Sequence, residues 1–202
     1  MKVIKAIVFD WGGVLIDDPA PGLIKYCGEA LGVTESAFLE AQNMHLPKFN
    51  SGVIAEDVFW QNMCNDLQVS SPQPPTLWGE AFRKVYAPRS QVFAWAEQLH
   101  QQNYIIGLLS NTEPPAMEHF KAQNYEMFNF TVFSCAEGTH KPDSLIYKKM
   151  IEETGVLPEE VLYLDDKEKY VEAARQNNVE SQRVRSVEEI KQVFLDYKLP
   201  IS

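Results

Sequence analysis

Val3-Ile4-Lys5-Ala6-Ile7-Val8-Phe9-Asp10-Trp11-Gly12-Gly13 is the stretch that decides the fold of this chain. Residues 3–9 form an apolar run of strand length, and such a run predicts a strand. Asp10 ends it, and Gly12-Gly13 then turn the chain tightly, because glycine tolerates backbone angles that other residues resist. In an open parallel sheet the strand ends collect in one crevice, and ligands bind there. An aspartate at the end of the first strand is therefore the first candidate for chemistry.

Three further apolar runs end the same way. Tyr104-Ile105-Ile106-Gly107-Leu108-Leu109 leads into Ser110, Phe130-Thr131-Val132-Phe133 precedes Lys141, and Val161-Leu162-Tyr163-Leu164 leads into Asp165-Asp166. Helical patterns over 90–101, 115–123, 144–154, 169–176 and 187–197 alternate with these runs and with a weaker strand, Ser181-Gln182-Arg183-Val184. Strand-helix alternation implies an α/β fold: a doubly wound, Rossmann-like parallel sheet.

The pattern differs between the first and second strands. Leu23, Tyr26, Cys27, Ala30 and Leu31 recur at helical spacing, as do Phe38, Ala41 and Met44, and residues 56–63 also read as helix. Residues 70–75 read as a loop, and Thr76 is placed to cap a helix running to about Val85. This length is awkward for a simple crossover. The expectation is an α/β core from residues 1–16 and 87–202, carrying a small inserted helical-bundle cap over 17–86.

The chain has 202 residues, which suits one domain with a sizeable insertion or two small domains. A hydrophobic share of 45% supports a packed core. The net charge of −10 argues against nucleic acid as a partner, since phosphate backbones select basic surfaces. Cys27, Cys64 and Cys135 are odd in number and form no CxxC pair. They read as free thiols of a reducing cytosol, and none stands beside a histidine in a motif for nucleophilic catalysis. Lys2 and Lys5 flank only a strand-length apolar run. There is no signal-peptide pattern and no run of about 18 apolar residues. The expectation is a cytoplasmic, monomeric protein with no membrane partner.

Asp10, Ser110, Lys141, Asp165 and Asp166 would thus reach one pocket from separate loops. A carboxylate nucleophile, a hydroxyl, a cation and an acidic pair suit an anionic substrate and a hard metal ion. Val8-Phe9-Asp10-Trp11-Gly12-Gly13-Val14-Leu15 resembles the first motif of the haloacid dehalogenase superfamily. Leu109-Ser110-Asn111-Thr112 resembles its second, His140-Lys141-Pro142-Asp143 its third and Leu164-Asp165-Asp166 its fourth. All four occur in order, each after a strand-like run, and the resemblance covers nearly the whole chain. It is nearest to the phosphatase-like branch with a cap between motifs one and two.

The resemblance implies a Mg²⁺-dependent phosphomonoester hydrolase acting on a small phosphorylated metabolite, a sugar phosphate or a nucleotide. Asp10 would form an aspartyl phosphate, and Ser110, Asn111 and Lys141 would hold the phosphoryl group. Mg²⁺ would be held by Asp10, the Gly12 carbonyl and Asp166, with Asp165 binding directly or through water. Most phosphatases of the family carry an acid-base aspartate two residues after the nucleophile, and this chain has Gly12 there. Such a group typically supplies about 10²–10⁴-fold in rate. Asp17, Asp18 and His140 are nearby substitutes. Two other readings stand beside it: a metal-free 2-haloacid dehalogenase, against which Gly12 and the Asp165-Asp166 pair both argue, and a non-catalytic phosphate- or protein-binding relative, which Gly12 keeps open. In the cap, His45, Lys48, Phe49, Trp60, Trp78 and Arg83 are candidate core or substrate residues, Lys48 and Arg83 being the cations among them.

Overall fold

The computed structural model describes residues 3–72 and 76–202. Lys2 and residues 73–75 of the expected loop lie outside them. Five strands, β1 (Ala6–Phe9), β2 (Ile105–Ser110), β3 (Phe130–Phe133), β4 (Val161–Asp165) and β5 (Glu180–Arg183), form one parallel sheet in the order β3-β2-β1-β4-β5. The chain steps outward from β1 to β2 and β3, then returns to lay β4 on the other side of β1. β1 therefore stands at the switch point, where adjacent loops diverge and open a crevice. Register ties the site together, because Phe9 is opposite both Leu108 and Leu164.

β1 is buried on both faces. Ile7 and Phe9 belong to the cluster of Val92, Trp95 and Leu99 on α5 (Ser90–Gln101) and Phe194 on α10 (Val187–Asp196). Ala6 and Val8 face Ile146 and Met150 on α8 (Ser144–Thr154) and Ala174 on α9 (Glu168–Gln176). This is why β1 reads as an apolar run instead of an alternating one. The strand is shorter than the 3–9 expected: Val3 is 68% exposed and has no partner face to pack on.

Four helices separate β1 from α5: α1 (Ala20–Leu31), α2 (Glu35–Asn50), α3 (Glu56–Leu67) and α4 (Leu77–Val85). An aromatic cluster joins α2, α3 and α4, with Phe49 stacked on Phe59 at 4.5 Å and the Trp78 ring 5.4 Å from Phe59. The bundle shares one continuous buried cluster with the α5 face of the sheet. Thr76 does not cap α4 with its side chain, whereas Thr34 does cap α2, its hydroxyl accepting from Ala37 N–H at 3.2 Å. Met44 sits on the solvent side of α2, contrary to its place in the apolar pattern. The chain from Ser134 leaves β3 at once as the short helix α7 (Ser134–Glu137), which no periodicity announced. α6 (Pro114–Ala122) follows β2.

Candidate active site

The β1–α1 turn is held by its own backbone. The Trp11 carbonyl accepts from Leu15 N–H at 2.9 Å and from Ile16 N–H at 3.0 Å, and the Ile16 carbonyl accepts from Gly13 N–H at 2.8 Å. Gly13 has φ +82°, and a Cβ there would lie 2.6 Å from Asp166 Cγ. Only glycine lets this turn and the β4 carboxylate approach so closely. Arg89 braces the turn from outside, donating to the Gly13 carbonyl at 2.7 Å and pairing with Asp17 at 2.9 Å. Asp17 is thereby committed away from the pocket. Asp18 lines the pocket rim but accepts from Ala20 N–H at 3.1 Å, punctuating the start of α1.

Lys141 is the centre of the site. It is 1% exposed and donates to Asp165 at 2.7 Å, to the Tyr163 hydroxyl at 2.9 Å and to the Leu109 carbonyl at 3.3 Å, and its ammonium stands 3.0 Å from Asp10 Oδ1. Burial pulls its pKa down, yet the Asp10 and Asp165 carboxylates outweigh that and hold the ammonium above its ordinary value. Asn111 fixes the lysine's backbone, accepting from Lys141 N–H at 2.8 Å and donating to its carbonyl at 3.0 Å. The Asn111 carboxamide is thus spent on positioning Lys141. Asp165 is equally occupied: it accepts from Lys141, from the Tyr163 hydroxyl, and from Lys167 N–H at 2.8 Å.

Asp10 Oδ1 also accepts from Trp11 N–H at 2.7 Å, while its Oδ2 makes no hydrogen bond among the described residues. Burial pushes the Asp10 carboxyl up, to about 7, against the pull of Lys141. Ser110 ends β2 beside it; its hydroxyl accepts from Thr112 Oγ1 at 2.6 Å, leaving its own proton to donate. Asp166 is half-buried, and its Oδ1 is buried without a partner. Burial raises the Asp166 carboxyl as well. One oxygen each of Asp10, Asp165 and Asp166 lie within 4.8 Å of one another. Three carboxylates against one buried ammonium leave local negative charge that a divalent cation would neutralise, and the orphaned Asp166 oxygen offers it a ligand. The donor set is all oxygen, as a hard cation requires.

These groups open onto a cavity of about 220 Å³ between the strand ends and the helical bundle. Its lining includes Asp10, Gly12, Ser110, Asn111, Lys141 and Lys167 at one end, with Gln42, Asn50, Trp78, Thr112 and Glu113 among the other wall residues. Of His45, Lys48, Phe49, Trp60, Trp78 and Arg83, the cap residues named above as core or substrate candidates, Trp78 alone is in that lining. Lys48 and Arg83 are exposed elsewhere, and His45 pairs with Asp66 at 2.5 Å. His140 is outside the lining, its Nδ1 3.0 Å from the Lys141 carbonyl. The sequence reading overlooked Gln42, Asn50, Glu113 and Tyr163. The spacing of four between Gln42, Leu46 and Asn50 was a readable signal once α2 was taken to run through Pro47.

The cysteines stay free: Cys27 and Cys64 are buried and Cys135 is half-buried. Burial pushes the Cys27 thiol to about 12 and the Cys135 thiol to about 11, the opposite of an activated nucleophile. No helix among the described residues is long and apolar enough to cross a membrane.

Known proteins are similar to this chain in sequence or in fold. The chain is 25% identical over 175 residues to acyl-CoA dehydrogenase family member 10 of Mus musculus, a match covering 80% of this chain but 16% of that protein. A predicted haloacid dehalogenase-like family hydrolase of Porphyromonas gingivalis superposes with a TM-score of 0.80 at 22% identity, covering 98% of this chain and 100% of that one. An enzyme of the same family from Bacteroides thetaiotaomicron, in complex with magnesium and inorganic phosphate, superposes with a TM-score of 0.77 at 20% identity, covering 95% and 99%. The family model described as haloacid dehalogenase-like hydrolase matches residues 4–178. With that match spanning most of its length, this chain belongs to the haloacid dehalogenase-like hydrolases.

Proposed function

We propose that this hydrolase is a Mg²⁺-dependent phosphomonoesterase that works on a small phosphorylated metabolite through an aspartyl phosphate at Asp10. One observation carries the reading: Asp10 shares a cluster with Lys141, Asp165 and Asp166 and keeps Oδ2 unbonded at the cavity. Magnesium and phosphate in the Bacteroides relative support it. Asp10, Asp166 and the Gly12 carbonyl would hold the ion, and Asp165, occupied by Lys141, would act mainly by fixing that lysine. When bound, Mg²⁺ supplies charge neutralisation between the carboxylates and the phosphate. The α1–α4 bundle serves as the cap.

The chain's own residues divide the rest of the work. Lys141 neutralises charge shared by Asp10 and the phosphoryl group, and Ser110 donates to a phosphoryl oxygen. Asp10 Oδ2 bonds to phosphorus as the ester P–O bond breaks, and the departing oxygen takes up a proton. Water then attacks the aspartyl phosphate, releasing inorganic phosphate and regenerating the carboxylate. Gly12 supplies no acid, so the proton comes from water or from the substrate's side of the cavity.

The test is phosphate release from a panel of phosphomonoesters with Mg²⁺ and with chelator. Wild type is expected to release phosphate only with the metal, and Asp10→Asn to lose at least about 10³-fold in kcat. Turnover that survives chelation, or an active Asp10→Asn protein, overturns the reading.

A further inference from the structure

The far wall of the cavity carries polar groups with nothing to bind. Gln42, Leu46 and Asn50 stand four residues apart on α2, so they share one face of that helix, and all three line the cavity. Gln42 is 5% exposed, yet its Oε1 has no hydrogen-bond partner, and Asn50 Oδ1 is likewise buried and unpartnered. From α4, Trp78 is 1% exposed and its Nε1 is also buried without a partner, near the Glu113 carboxyl but outside hydrogen-bond geometry. Buried polar atoms are paired in the great majority of cases. Two amide oxygens and two indole N–H groups, those of Trp78 and of Trp11 at the β1 end, are unpaired among the residues lining this one cavity, and on the α2 and α4 wall they mark groups that a ligand completes.

Charge narrows the ligand. The cationic residues of the lining, Lys141 and Lys167, belong to the carboxylate end, where both feel Asp10. No lysine, arginine or histidine lines the α2 and α4 wall among the described residues, and Glu113 adds a carboxyl there. A second phosphate or carboxylate would meet no counter-charge on that wall.

We propose that Gln42, Asn50 and Trp78 form a leaving-group subsite for a neutral, hydroxyl-bearing organic group, on a wall that offers a second anion no cation. The inference rests on the phosphomonoesterase reading above and specifies its substrate class. A hydroxyl donates to the Gln42 or Asn50 oxygen and accepts from the Trp78 N–H. An apolar group of the same shape would leave all three desolvated and unpaired, and sites of that kind discriminate strongly.

The experiment compares esters of similar leaving-group reactivity on the full chain with Mg²⁺. A panel of monophosphorylated sugars and polyols is set against cyclohexylmethyl phosphate, which matches a hexopyranose 6-phosphate in shape but lacks its hydroxyls and ring oxygen, and against sugar bisphosphates. The best sugar or polyol monophosphate is expected to exceed cyclohexylmethyl phosphate and every bisphosphate at least about tenfold in kcat/KM. Gln42→Leu and Asn50→Leu should each shrink the ratio of that monophosphate to cyclohexylmethyl phosphate by about threefold to tenfold. Equal turnover of the hydroxylated and apolar esters, preference for a bisphosphate, or a ratio unmoved in leucine variants that melt like wild type overturns the subsite and leaves the phosphatase reading standing. Phosphate release from none of the esters overturns both.

Discussion

Single residues in this protein act through what surrounds them. Lys141 would be an ordinary surface cation by type, and its place between Asp10 and Asp165 makes it a structural and electrostatic keystone. Removing one member of a buried charge pair leaves the other uncompensated, which is costlier than the pair is worth. Glu113 is the converse, a buried carboxyl that makes no ion pair among the described residues and feels Lys167 only as the smallest of the influences on it. Burial raises it from 4.5 to about 7. Its folded form therefore holds a proton that the unfolded chain has already released between those values. Stability falls as pH rises from about 4.5 to about 7 and then levels, by on the order of 3 kcal/mol from this group. Glu113→Gln removes that contribution. In urea titrations at pH 5 and pH 8, the variant is expected to gain stability over wild type at pH 8 and to match it more closely at pH 5. An equal difference at both pH values would contradict the assignment.

At the scale of elements, β1 was legible because burial on both faces turns a strand into an apolar run. β2 and β4 were legible for the same reason, and their terminal Ser110 and Asp165 followed; β3, an edge strand with Thr131 exposed, was legible from its β-branched and aromatic residues. α7 was invisible, since a helix of one turn has no period to detect. Met44 misled because α2 presents a narrow apolar face and a methionine on its outer side costs little. The role of Asn111 lay beyond the sequence too: its carboxamide meets the Lys141 backbone across thirty residues of chain. Trp11 shows how elements are joined. Its ring is 5.0 Å from Phe82 on α4 and 5.2 Å from Phe120 on α6, so one residue after Asp10 clamps the bundle to the sheet. Trp11→Ala is expected to cost about 3–5 kcal/mol in chemical unfolding and to lower kcat by loosening the turn that aims Asp10. A loss under about 1 kcal/mol would show that the clamp is not needed.

For the whole molecule, a cation held by the acidic cluster, as proposed, would couple its binding to folding. Anything that binds the folded state alone raises its stability with concentration. Mg²⁺ is expected to raise the melting temperature progressively, whereas Asp166→Ala, which removes the orphaned oxygen, should abolish the rise. A melting temperature indifferent to Mg²⁺ in wild type would count against the cation site. The sequence by itself determined the α/β class, the strand order along the chain and the residues at the strand ends, because burial and turn chemistry are written locally in apolar runs, glycines and terminal aspartates. Only the tertiary structure decided which of those residues touch, that Asp165 serves Lys141, that Asn111 serves its backbone, and that Gln42, Asn50, Trp78 and Glu113 share a cavity. Those contacts join side chains far apart in the chain, and no local pattern encodes the distance between them.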